Sequence, residues 1–227
     1  MALSKKNEYL IIMNSLLPPI QKPFLRGHFH QAAFFFCLGA CAMLIAECKD
    51  LKSTIAILIY SVSLCGLFGV SALYHRVEWK HNARMWMRRL DHAFIFILIA
   101  GTGTPICFLV LNELHGKQFF IMVWSAALIG IIQSLFWVKA PKWVSAILYI
   151  GVGWMALPYL PEIYNALGLG KLILLLIGGV FYTVGALIYA FKFPNPSPAY
   201  FGYHEIFHVL VIVAAVFHFL MIRTLIF

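Results

Sequence analysis

Residues 203–219 read YHEIFHVLVIVAAVFHF. They form the front of an apolar run at 205–223, and a helix that crosses a bilayer needs about 20 mostly apolar residues. Six further runs of that kind lie upstream, at 31–47, 54–75, 91–112, 118–138, 143–160 and 171–191. The whole chain agrees with them. Of its 227 residues, 63% are hydrophobic and 11% charged, with a mean hydropathy of +0.89. Soluble domains carry roughly 45–50% apolar and about 25% charged residues, so the soluble classes are excluded. Disorder, collagen and disulfide scaffolds go with them. The expected fold is an all-α integral membrane bundle of seven transmembrane helices. Seven spans of about 20 residues use roughly 140 positions. What remains predicts a cytoplasmic N-terminal segment over 1–30 and one membrane domain over 31–227.

The formal charge is +9, from 17 Lys and Arg against 8 Asp and Glu. In a soluble protein that balance would point to nucleic acid. In a membrane protein it reflects the excess of Lys and Arg in cytoplasmic loops. With the N-terminus inside, twelve cations fall in inner segments, against five outside: Lys49, Lys52, Lys117, Lys171 and Arg223. The expected topology therefore has the N-terminus in and the C-terminus out, in the cell's inner (plasma) membrane. Its partners would be membrane lipids, not nucleic acid.

The five cysteines, Cys37, Cys41, Cys48, Cys65 and Cys107, form no C-x-x-C pair and read as small packing residues. The run Tyr9–Leu17 ends at Pro18-Pro19 without a signal-peptide cleavage pattern, which predicts a short interfacial helix. The longest hydrophilic connection is Arg76–Leu90. A second break, Lys192–Tyr203, holds Pro194, Pro196 and Pro198, which forbid continuous helix. Pro105 predicts a kink in span three, and Pro158 and Pro161 would close span five.

Ionisable groups inside a membrane are costly and call for a partner or a purpose. Those near the spans are His30, Glu47, His75, Asp91, His92, His204, Glu205, His208 and His218. Under the expected topology, span two delivers His75 to the inner face. Span three starts there with Asp91, and span seven opens there with His204 and His208. His204 and His208 are four apart, on one helix face and within reach of one ion. With His75 they make three imidazole ligands and one open position, the arrangement of catalytic zinc. Asp91 would serve as general base. Ser71, one turn before His75, would orient the water or a substrate carbonyl.

Each of these residues also has a bland reading. The histidines can be interfacial hydrogen-bonders, Asp91 a salt-bridge partner of Arg88 or Arg89, and Ser71 a packing residue. His92 points about 100° away from Asp91 on a helix. His218 lies about 21 Å along the helix from His204, too deep for the same ion, and reads as a core hydrogen-bonder. Glu47 falls at the outer end, outside the site.

The strings SALYHR (71–76), RRLDHAFIFILIAGT (88–102) and YHEIFHVLVIVAAVFHF (203–219), with KPFLRGHFHQ (22–31), resemble the hemolysin III family. That family is the bacterial branch of the progestin and adiponectin receptor superfamily. The resemblance covers the chain from about residue 20. It implies a seven-helix fold with its N-terminus in the cytoplasm. It further implies zinc held by His75, His204 and His208, with Asp91 and Ser71 lining the site. Wider relatives include receptors and ceramidases. Many relatives carry Tyr where Gly103 stands, and some carry an acidic cluster before the first span that is not evident here. Three functions compete: zinc-dependent hydrolysis of a lipid amide or ester that draws an acyl chain from the membrane, a pore-forming cytolysin, and a receptor-like regulator with structural zinc.

Overall fold

In the computed structural model, the described residues are 23–137 and 139–226. The helix expected over Tyr9–Leu17 and most of the 1–30 segment lie outside them. Seven α-helices follow in chain order: α1 His28–Ala46, α2 Leu51–Arg76, α3 His81–Leu109, α4 Glu113–Phe136, α5 Lys142–Gly153, α6 Leu160–Phe191 and α7 Tyr203–Arg223. A short 3-10 turn, Leu157–Tyr159, joins α5 to α6. There is no β-strand among the described residues, only an isolated bridge between Ser197 and Phe201.

A lipid solvent explains which side chains face where. Phe36, Phe35, Val62, Ile129 and Phe136 stand outward, because hydrocarbon gives apolar side chains no reason to hide. Helices then meet through packing and a few polar contacts. Small residues make the close approaches: Gly66 lies under the ring of Phe94, and Gly130 under that of Phe96. Tyr60, Phe68, Phe96 and Ile57 fill the centre. Consecutive helices pack on one another, and α1 closes the ring against α7.

Caps set the turns. Asp50 accepts from the Ser53 amide at 2.9 Å ahead of α2, and Asn112 accepts from the His115 amide at 3.0 Å ahead of α4. Each satisfies one of the amides that a helix start leaves free. At α7 the cap comes from inside the helix, as the Glu205 carboxylate accepts from the Gly202 amide at 2.8 Å.

Among the described residues, six helical stretches are long and apolar enough to cross a membrane, with Lys142–Phe191 counting as one stretch of 50 residues. The chain is an all-helical, multi-pass membrane protein. Within that stretch α5 turns back on α6. The Trp154 indole donates to Thr183 Oγ1 at 2.9 Å, while the Lys142 ammonium lies 4.1 Å over the Tyr189 ring. Alone, α5 has 12 residues, a rise of about 18 Å, shorter than a hydrocarbon core.

The expected loop over Arg76–Leu90 is a correction. Only residues 77–80 leave the helical state, and α3 begins at His81. Ala, Arg, Met and Leu are good helix formers, so Arg84, Arg88 and Arg89 ride on a helical overhang beyond the end of α2. Pro161 also differs from expectation: it sits in the first turn of α6, where its missing N–H costs nothing. Gly168 interrupts α6 at φ 77°, ψ 172°, backbone that only glycine adopts readily. Pro105 lies inside α3, which continues to Leu109.

Candidate metal centre

Three helix ends converge at one end of the bundle. The last turn of α2 carries His75, and the first turns of α7 carry His204 and His208. Their ligand nitrogens all lie within 4.8 Å of one another, and His75 Nε2 stands 3.2 Å from His204 Nε2. His75 and His208 are buried, and His204 is half-buried. Three ring nitrogens gathered without an acid between them can hold a metal ion.

Asp91, from α3, brings its carboxylate to 3.8 Å from His75 Nε2, too long for a direct hydrogen bond. It stands 4.0 Å from His92 Nδ1, and among the described residues it makes no ion pair with Arg88 or Arg89. The Ser71 hydroxyl is hydrogen-bonded to His30 Nδ1 at 2.8 Å. The His30 ring stacks on His208, with centroids 3.8 Å apart and planes 5° from parallel. Thus His30 on α1, given no role by the sequence, buttresses both Ser71 and His208. Its placement at the start of the first span, level with His75, was the signal that could have found it.

The segment ahead of α1 locks the cluster. Arg26 forms an ion pair with Glu205, whose side chain is 1% exposed. Gly27 adopts φ 84°, and a Cβ there would stand 2.6 Å from the Cβ of His75. Glycine is therefore required twice, by its backbone and by its neighbour. The Phe24 amide donates to the Ala199 carbonyl at 2.9 Å, tying this segment to the loop before α7.

The other predicted residues separate cleanly. His92 donates from Nδ1 to the Arg88 carbonyl at 2.8 Å and meets the Tyr189 hydroxyl at 3.2 Å, outside the three-histidine group. His218 donates to the Leu175 carbonyl at 3.0 Å. Glu47 pairs with Arg223 at 3.8 Å, at the opposite end of the bundle.

Behind the histidines lies a cavity of about 120 Å³. Ser71, Asp91 and His208 line one part of it, and Tyr182 and His218 another. Between them its walls are mostly apolar, including Ile95, Ile99, Val123 and Val211. Gly103 also lines it. A Cβ there would meet Phe119 at 3.5 Å and Val123 at 3.8 Å, ordinary contact distances.

Fold and site together define a helical membrane protein with a three-histidine cluster, one member of which, His208, lines an apolar cavity. The haemolysin-III related family matches residues 19–219, and the chain belongs to that family. It is 34% identical to "Hemolysin-3 homolog" of Bacillus subtilis over 134 residues, 59% of this chain and 62% of that protein. Against "Hemolysin-3" of Bacillus cereus it is 31% identical over 162 residues, 71% and 70% of the two chains. A human relative, "Monocyte to macrophage differentiation factor", is 30% identical over 190 residues, 78% and 73% of the two.

Proposed function

We propose that this chain is a zinc-binding, seven-span protein that hydrolyses the amide or ester of a membrane lipid at the cytoplasmic leaflet. The observation that carries the reading is the His75–His204–His208 cluster beside Asp91, with Asp91 and His208 lining an apolar cavity. Imidazole donors suit zinc. Two ligands on one tetrahedral zinc, at bonds of about 2.0–2.1 Å, stand roughly 3.3 Å apart, close to the 3.2 Å between His75 and His204. The antiparallel return of α5 on α6 supports a seventh crossing. The cation count supports an N-terminus inside and a C-terminus outside, with a cytoplasmic segment before a single membrane domain.

His75, His204 and His208 would hold the ion. When bound, zinc supplies Lewis acidity toward a carbonyl and lowers the pKa of a water. Asp91 Oδ2 accepts that water's proton and passes it to the leaving amine or alcohol, as a carboxylate general base does. Ser71, whose hydroxyl is hydrogen-bonded to His30, would orient the water or the substrate carbonyl. The aliphatic walls take up the acyl chain and exclude bulk water. A pore would need polar lining across the whole bilayer, whereas the cavity walls here are chiefly aliphatic.

The test uses purified protein in detergent, wild type beside His75→Ala, His208→Ala and Asp91→Asn. We expect about one zinc per chain in wild type and Asp91→Asn, and little in the histidine variants. A panel of lipid amides and esters should lose a species with wild type alone. Zinc-loaded wild type that leaves the whole panel intact overturns the hydrolase and leaves a structural ion. Dye release from liposomes by wild type would instead favour the cytolysin.

A further inference from the structure

A second group of charged side chains gathers at the same end of the bundle, and the chemistry proposed above does not use it. A small, partly open pocket of about 10 Å³ lies where α3, α4, α5 and α6 meet, and its walls are mostly polar. Arg88 of α3 and Lys142 of α5 both line it, whereas no Asp or Glu does. The Lys142 ammonium donates to the Tyr203 hydroxyl at 2.8 Å. It also lies 4.1 Å over the Tyr189 ring and 4.5 Å over that of Tyr203, which fixes its position. An ammonium has three protons to donate, and only one is spent there. Among the described residues neither Lys142 nor the half-buried Arg88 makes an ion pair. Asp91, one turn along α3 from Arg88, instead approaches His75 and His92, at 3.8 and 4.0 Å. Two other polar walls are already engaged: Ser134 donates to the Gly130 carbonyl at 2.9 Å, and the Tyr189 hydroxyl meets His92 at 3.2 Å. Two cations therefore share one polar space with no anion between them, an arrangement that like-charge repulsion opposes.

The surroundings say what kind of anion fits. Trp137 lines the pocket and is exposed. Trp86 and Trp143 are exposed at the same end, and the Arg89 guanidinium lies 4.6 Å over the Trp86 ring. Exposed Trp beside cations at one end of a membrane bundle marks the boundary between hydrocarbon and water, so the pocket sits at the depth of lipid headgroups. A space of about 10 Å³ admits a single oxygen-sized atom.

We infer that this pocket binds the phosphate of an anionic phospholipid from the leaflet at that end. One non-bridging oxygen enters the pocket, while the phosphorus, the glycerol and the chains stay outside in the leaflet. Arg88 and Lys142 supply charge-assisted donors to it, as basic pockets between membrane helices do for such headgroups. A zwitterionic lipid carries a similar phosphate but brings its own ammonium toward two cations, and is disfavoured. The site needs neither the metal nor the hydrolysis proposed above, and no covalent step is involved.

Titration of the full-length protein in detergent with single lipids, read by native mass spectrometry, tests the assignment. The probes are phosphatidylglycerol, phosphatidylcholine with the same chains, and inorganic phosphate as a competitor. Wild type should bind phosphatidylglycerol about tenfold or more tightly than phosphatidylcholine, the worth of one hydrogen bond to a charged group. Arg88→Gln and Lys142→Gln should each lose a similar factor. Ala140→Leu keeps every charge but fills the pocket that Ala140 lines, and the preference should fall there too. Lys80→Gln removes an exposed cation that does not line the pocket, and should change affinity by no more than about twofold. Equal binding of the two lipids by wild type overturns the site, whether or not the charge variants fold. So does an equal loss in Lys80→Gln, which reduces the preference to diffuse surface charge, or an unchanged preference in Ala140→Leu. Displacement of the bound lipid by an equal concentration of inorganic phosphate overturns the lipid and assigns the pocket to a free anion.

Discussion

The bundle carries histidine at each end, one ring at the first and a cluster of three at the second, and the two sites are built on opposite logic. At one end His115 meets the Glu162 carboxylate, and Asn112 donates to the same carboxylate at 2.8 Å. The ring also packs against Tyr159, with centroids 5.7 Å apart. There the histidine finds a hydrogen-bond partner at once and stays 45% exposed. At the other end His75, His204 and His208 face one another, with the Asp91 carboxylate 3.8 Å from His75. A histidine hydrogen-bonded to a carboxylate at a surface is already complete. Ring nitrogens gathered in this way could hold an ion, the role proposed for them above.

The sharpest way to break that comparison is to remove one histidine from each end. Structural zinc sites bind with about 10–16 kcal/mol in all. A single ligand's share makes the expected loss for His75→Ala or His208→Ala more than a hundredfold in zinc affinity. His115→Ala should leave affinity unchanged, and competition with a chelator of known strength reads both. An equal loss in all three variants would erase the distinction.

The next effect is on stability. Glu205→Ala strands Arg26 and opens the first turn of α7, and breaking a buried pair costs about 3 kcal/mol or more. Thermal unfolding in detergent should fall by about 6–12 °C for a chain of this size. Glu162→Gln at the other end should produce only a small, salt-sensitive change, as exposed pairs do. A large drop there would show that both ends are structural anchors.

Gly27→Ala should cost about 1–2 kcal/mol from the left-handed backbone and also displace His75. It should therefore lower the unfolding temperature and zinc affinity together, measured on the same preparation. If stability falls while affinity holds, the two ends are more independent than the geometry implies. The smallest effect belongs to His92→Gln, whose ring lies outside the three-histidine group. Its zinc affinity should match wild type, and a marked loss would enlarge the centre to include it.

Much of this was legible in the residues alone. Hydropathy located every long helix, since the bilayer imposes one length and one polarity on each. The depth argument brought His75, Asp91, His204 and His208 together because sequence order fixes the side on which each helix end emerges. What escaped it depended on rotation and on local backbone. Depth alone does not say which way a ring turns, so Ser71 was read as facing a substrate when His30 also holds it. The overhang of α3 was hidden because Arg84, Arg88 and Arg89 look like a loop by polarity and like a helix by propensity. The cluster of Asn112, His115 and Glu162 joins residues up to 50 apart through a turn geometry that carries no periodic signal.

The three ring nitrogens are far apart along the chain: His75 and His204 are separated by 129 positions. On the ribosome, α1 to α6 are therefore made and inserted while His75, Asp91 and Arg26 still lack the partners that α7 will bring. Bringing such distant residues together is the slow part of assembly. The centre thus closes only after α7 has docked between α1 and α6, and a chain stopped at the loop before it would present a half-site. Metal uptake in this protein would then record that synthesis and insertion have run to completion.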